Sequence, residues 1–208
     1  MEKNNFIGKT KEEALSLATE TLGCNENDLF FKEIDTKGGL FKSKKIEIQA
    51  IKKETVIKET KEFLKKIINL IGIEVNFEVK ERDDSIMITA FCDNNNILIG
   101  KQGRTISALS VILKQYLFNE LGFYTNIILD VGDYKLKNQQ RLERLAKKLA
   151  REVKYSKVEV KLDPMNSYER RIIHTTLSEN KYVKTESVGE EPNRAVVIKP
   201  VEEIKNEN

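Results

Sequence analysis

Ile97-Leu98-Ile99-Gly100-Lys101-Gln102-Gly103-Arg104-Thr105-Ile106 is the stretch on which the reading of this chain turns. Two glycines three residues apart, between an apolar strip and a long apolar-periodic segment, predict a sharp backbone junction between two helices. Without a Cβ at either end, such a junction lets another backbone come close. The helix that follows opens with free amides and the positive end of its dipole, which suits a phosphate. Lys101 and Arg104 add full positive charge beside it, and Ile97, Ile99 and Ile106 are expected to floor a groove for unstacked bases.

Outward from this point the pattern gives an α-β-β-α-α-β order. A helix carries Val56, Ile57, Phe63, Leu64, Ile67, Ile68 and Ile71 and is stopped by Gly72. Strands follow over 74–80 and 85–91 around the turn Glu81-Arg82-Asp83-Asp84, then a short segment over 94–99. A helix over 104–121 and a strand over 124–131 complete the order. In this order the sequence resembles a KH domain of the type II topology, whose I-G-x-x-G-x-x-I signature falls on Ile99, Gly100, Gly103 and Ile106. The resemblance implies that residues 99–104 and 106 clamp the backbone of about four nucleotides of single-stranded RNA or DNA.

The chain has 208 residues, 39% hydrophobic and 33% charged, which fits two or three small domains. Its net charge of +3 is unevenly spread: residues 135–184 hold 14 Lys/Arg against 6 Asp/Glu, a net +8, and the remainder carries −5. A basic segment of this kind is the footprint expected for a polyanion partner. One histidine and two cysteines, Cys24 and Cys92, leave no zinc ligand set and no disulfide framework. No phosphate-loop or dinucleotide fingerprint occurs. A binder without cofactor, metal or catalytic residues is expected. The N-terminus lacks an apolar core and no segment approaches the roughly 20 apolar residues of a membrane span. A cytoplasmic protein without stable membrane insertion is therefore expected.

The basic third segment predicts a helix over 136–155, with Leu142, Leu145, Ala146, Leu149 and Val153 on one face. A strand over 158–162 and a second helix around Ser167-Tyr168-Glu169-Arg170-Arg171-Ile172-Ile173-His174 follow. Strands near 182–187 and 195–198 flank the turn Gly189-Glu190-Glu191-Pro192-Asn193-Arg194. Arg170 and His174, four apart, share a helix face and are expected to grip one phosphate or nucleotide. This segment resembles the R-3-H domain, named for its Arg-x-x-x-His, and the resemblance implies binding of single-stranded nucleic acid, with Arg194 beside the same face.

The first segment opens on Thr10-Lys11-Glu12-Glu13, a capping box, with the helix stopped at Gly23. Strands are expected over 29–34 and 40–51 around Lys37-Gly38-Gly39. Phe30, Phe31, Phe41 and Phe91 are expected in the core, Phe41 being also a candidate for facing a partner. Thr10–Ala14 and Lys37-Gly38-Gly39-Leu40-Phe41 resemble the N-terminal domain of the bacterial Jag proteins, with Lys42 where their loop ends in glycine. Relatives in that family often carry a long acidic linker, here shortened to a few residues near Lys53. The expected architecture is α+β in three small domains: an N-terminal α-β-β unit over 1–53, a type II KH domain over 54–134 and an R-3-H α/β domain over 135–208. Membership implies a cytoplasmic single-stranded RNA-binding regulator of cell elongation and division, with a small single-KH partner protein or a homodimer. The competing expectation is a protein scaffold tied to the membrane insertase or the cell-wall machinery, with incidental nucleic-acid binding.

Overall fold

Helix and strand alternate in the order the pattern predicts, with one strand added at the front. The structure is a computed structural model that describes residues 1–34, 45–82 and 85–201. The Lys37-Gly38-Gly39 turn, the Leu40 start of the second strand, Phe41, Asp83-Asp84 and the tail beyond Val201 lie outside the described residues. By contact density the chain divides into two units, residues 1–132 and 133–208. The division does not separate the first two expected domains.

The first unit begins with strand β1, Asn4–Gly8, which the sequence pattern misses. Helix α1, Lys11–Leu22, starts at Thr10, whose hydroxyl accepts from the Glu13 amide at 3.2 Å, and ends at Gly23 with φ 63°. Strands β2, Leu29–Ile34, and β3, Ile46–Lys52, pair antiparallel. β1 joins the other edge of β3, setting Phe6 opposite Ile48 and giving the order β1-β3-β2. Phe6, Ala14, Leu15, Ala18, Leu29, Ile48 and Ala50 form the core between sheet and helix. Each large aliphatic side chain fully buried there is worth about 1.5–3 kcal/mol. Phe30, Phe31 and Phe91 are half-buried rather than enclosed. Phe31 packs on this core, with the Lys11 ammonium 5.2 Å from its ring centre.

β3 runs without a linker into helix α2, Lys53–Leu70. Strands β4, Asn76–Arg82, and β5, Ser85–Phe91, pair antiparallel, and β6, Ile127–Val131, lies parallel to β5. Between them come the short helix α3, Asn95–Ile99, and the long helix α4, Arg104–Leu121. The predicted α-β-β-α-α-β order is therefore present, in an α+β fold. Alternation along β5 and β6 turns Ile86, Ile88, Ala90, Ile127, Leu129 and Val131 to one face, all buried. On α4, Ile106, Leu109, Leu113, Leu117 and Leu121 recur at helical spacing and are likewise buried. Within this unit, the Lys3 and Lys32 ammonium groups donate to the carbonyls of Glu120 and Gly122 at 2.7 and 3.2 Å. Both cations thus sit on the negative end of the α4 dipole.

In the second unit, helices α5, Tyr134–Ser156, and α6, Ser167–Leu177, accompany a sheet of β7, Val160–Lys161, β9, Ala195–Pro200, and β8, Val183–Val188, in that order. Leu142, Ala146, Ala150 and Val153 of α5 meet Ile173 and Leu177 of α6 and Val183, Val196 and Ile198 of the sheet in one core. The predicted strand over 158–162 contracts to two residues because only Val160 and Lys161 find partners on β9.

Candidate nucleic-acid interface

Gly100 leaves α3 with φ 72° and ψ 173°, a conformation essentially restricted to glycine. A single tight turn over 101–103 follows, closed by the Gly103 amide on the Gly100 carbonyl at 3.2 Å. Gln102 is left-handed at φ 54°, as is Gly103 at φ 73°. The turn drives Lys101 and Gln102 outward, and both are exposed, as is Arg104. α4 then begins without a side-chain cap.

The absence of a Cβ at Gly100 serves the protein's own packing. An added Cβ would stand 2.1 Å from Thr105 Oγ1, 2.8 Å from Thr105 Cβ and 2.9 Å from Thr105 N. Thr105 therefore fills the space behind the loop, while the opposite side bears Lys101 and Gln102. A second support is Asn95, whose side-chain oxygen accepts from the Cys92 amide at 3.0 Å. Its amide nitrogen sits where a Cβ on Gly132 would be, 2.3 Å away, so this helix start is fitted to the end of β6. Of the three isoleucines expected to floor a groove, Ile97 is 52% exposed and Ile99 half-buried, but Ile106 is only 4% exposed. Ile106 therefore supports the loop from within the core, because its position on α4 is in phase with Leu109 and Leu113.

In the second unit Arg170 and His174 do share a face of α6, but each is already engaged. Arg170 is 7% exposed, and its Nη1 donates to the Met165 carbonyl at 2.9 Å and to Glu191 Oε1 at 2.7 Å. The guanidinium thus ties α6 to the turn before β9. Among the described residues its hydrogen bonds all run through Nη1, which leaves the donors of Nε and Nη2. His174 holds the Thr185 hydroxyl at Nδ1, 2.6 Å away, and the Ser187 hydroxyl at Nε2, 2.8 Å away. Burial and then the nearby Arg170 charge push its pKa below the ordinary histidine value, so the ring is neutral at neutral pH. Hydroxyls can donate to one nitrogen and accept from the other, which suits a neutral imidazole. Arg194 is half-buried, and its Nε is enclosed with no partner among the described residues.

A polar network beside this face lies outside the motif. The buried Glu169 accepts from the Asn166 amide at 3.2 Å and from Asn138 Nδ2 at 2.7 Å. Asn138 Oδ1 in turn accepts from Arg141 Nη2 at 2.8 Å. Helices α5 and α6 are thereby joined through a buried carboxylate, and burial followed by Glu169 raises the pKa of the adjacent Tyr134. Thr105, Asn95, Glu191, Thr185, Ser187 and Asn138 all act on the expected site without being marked by either motif. Only Thr105, inside the glycine signature, had a local signal.

Among the described residues no group of His, Cys, Asp and Glu could hold a metal ion, and no helix is long and apolar enough to cross a membrane. A model of the R-3-H domain matches residues 140–200. The chain is 34% identical over 213 residues to a protein of Clostridium symbiosum named RNA-binding protein KhpB, covering 100% of this chain and 94% of that protein. Proteins of the same name from Bacillus subtilis (strain 168) and Lactiplantibacillus plantarum are 33% and 35% identical. The matches cover 92% and 70% of this chain, and 95% and 45% of those proteins. Alike to such proteins over almost its whole length and carrying the R-3-H match, the chain belongs to the KhpB family, the family of the Jag proteins.

Proposed function

We propose that the protein is a non-catalytic, single-stranded RNA-binding regulator that holds the strand on the Gly100–Gly103 loop. The observation that carries this reading is a loop fixed from behind by Thr105 and Asn95 while Lys101, Gln102 and Arg104 face outward. A rigid, positively charged turn binds a phosphate backbone without losing much entropy on binding. The relatives' name, RNA-binding protein, supports the same reading. Residues 1–53, 54–134 and 135–208 act as three modules. The third offers a second contact at Arg170, His174 and Arg194, and two weak contacts on one chain reinforce each other through effective concentration. In this reading Arg170 engages a phosphate through the donors that Glu191 leaves over. The cellular setting follows the family resemblance: the cytoplasm, control of elongation and division, and assembly with a small single-KH protein or a second copy.

The test is fluorescence anisotropy of a labelled single-stranded RNA, titrated with wild type and Lys101→Asp/Gln102→Asp at two salt concentrations. Asp tolerates the left-handed position of Gln102, so the fold is kept. Wild-type affinity that falls steeply with salt and disappears in the variant is the expected result. Equal binding by the two proteins would remove the loop from the mechanism. Absence of binding by both would favour the scaffold reading.

A further inference from the structure

The outer face of α5 is the most strongly patterned surface that neither motif uses. Arg144, Lys148, Arg151 and Tyr155 follow one another at spacings of four, three and four residues. They therefore form a stripe, directly opposite the buried stripe of Leu142, Ala146, Ala150 and Val153. All four are exposed, and successive members stand about one helical turn apart along the axis. Most of their charge remains available: Lys148 meets Glu152 only at 3.8 Å on the surface, and Arg144 uses its Nε on the Gln140 carbonyl.

The stripe ends on aromatic rings. Tyr155 is 80% exposed, and Tyr182, just before β8, is 53% exposed. One ammonium, Lys154 Nζ, serves both: it lies 3.6 Å from the Tyr182 ring centre and 5.7 Å from that of Tyr155. The Tyr182 backbone is fixed on both sides, its amide donating to Asn180 Oδ1 at 2.9 Å and its carbonyl accepting from Val201 N at 2.9 Å. Folding leaves two large rings in water here, held near a cation whose charge is shared with their faces. A solvated salt-bridge face would explain the cations but not the rings.

We infer that this stripe is an additional contact for single-stranded nucleic acid, with phosphates on Arg144, Lys148 and Arg151 and a base stacked on Tyr155 or Tyr182. Aromatic platforms at the end of a basic track are how sequence-tolerant single-strand binding is built. The inference rests on the RNA-binding reading but uses neither the glycine loop nor Arg170 and His174.

The experiment uses the full chain and two fluorescein-labelled probes of equal length, an oligouridylate and an abasic oligoribonucleotide. Tyr155→Ala/Tyr182→Ala is expected to lose about tenfold or more in affinity for oligouridylate and nothing for the abasic strand, since only the first has bases to stack. Tyr155→Phe/Tyr182→Phe, which keeps the rings, is expected to bind like wild type. Lys148→Ala/Arg151→Ala is expected to lower the salt slope by about two on both probes. An alanine pair that binds oligouridylate like wild type overturns the inference, and so does an equal loss on both probes. The Lys101→Asp/Gln102→Asp protein separates the two readings. A loss there with a neutral tyrosine pair leaves the loop reading standing alone, and the reverse leaves this contact alone. A wild type that ignores both probes overturns both.

Discussion

Replacing Gly100 by alanine probes the physical basis of the loop more directly than any charge change. Two effects add. The backbone sits at φ 72° and ψ 173°. Holding a residue with a Cβ there costs about 1–3 kcal/mol. The new Cβ also stands 2.1, 2.8 and 2.9 Å from Thr105 Oγ1, Cβ and N. Rotating the threonine removes only the first of these contacts, so overpacking adds about 1–3 kcal/mol more. The sum, about 2–6 kcal/mol, is a large share of the roughly 5–15 kcal/mol that stabilises a domain. It corresponds to a melting temperature lower by roughly 10 °C. Thermal and urea unfolding followed by far-UV circular dichroism read the effect. Thr105→Gly, combined with it in a double-mutant cycle, isolates the steric part, with an expected favourable coupling of about 1–3 kcal/mol. Stability of Gly100→Ala within about 0.5 kcal/mol of wild type, or additivity with Thr105→Gly, would refute the argument that Thr105 packs the loop from behind.

Two further outcomes follow from the second unit. His174 is the only histidine in the chain, and burial and Arg170 depress its pKa below the unfolded value of about 6.5. Its contribution is therefore complete above about pH 6.5 and lost as the pH falls from there through the depressed folded value. Urea midpoints should drop over that interval in wild type and flatten in His174→Gln; a wild type whose stability is level or rises on acidification contradicts the assignment. Arg170→Ala removes charged hydrogen bonds to a carbonyl and a carboxylate, and should destabilise by about 2–3 kcal/mol. Glu191→Gln should cost much less, because the Glu191 side chain is 59% exposed and keeps its hydration. Equal denaturation midpoints for wild type and Arg170→Ala would show that the guanidinium does not brace α6.

Much of this protein is legible in its sequence because the signals are local. Thr10 with Glu13, Gly23 as a stop, the apolar period of α4 and the two loop glycines each act within one or two turns of chain. Side-chain periodicity then orders the α-β-β-α-α-β segment. The same period also marks Ile106 as inward, in line with Leu109 and Leu113, so its burial is readable even where the motif suggests a groove floor. What tertiary structure alone decides is pairing across distance. β1 is a strand only because β3 lies beside it, Asn4 facing Ala50. Five residues with two asparagines carry no strand signal of their own. Arg170 and His174 look like a free phosphate grip on a helical wheel. Their partners Glu191, Thr185 and Ser187 arrive from 11 to 21 residues away, on β8 and the turn after it. The helix and strand periods determine which groups share a face of one element. Which groups that face meets depends on how the chain returns to it, and that return makes Arg170 a brace, His174 a neutral ring and Thr105 the support behind a glycine.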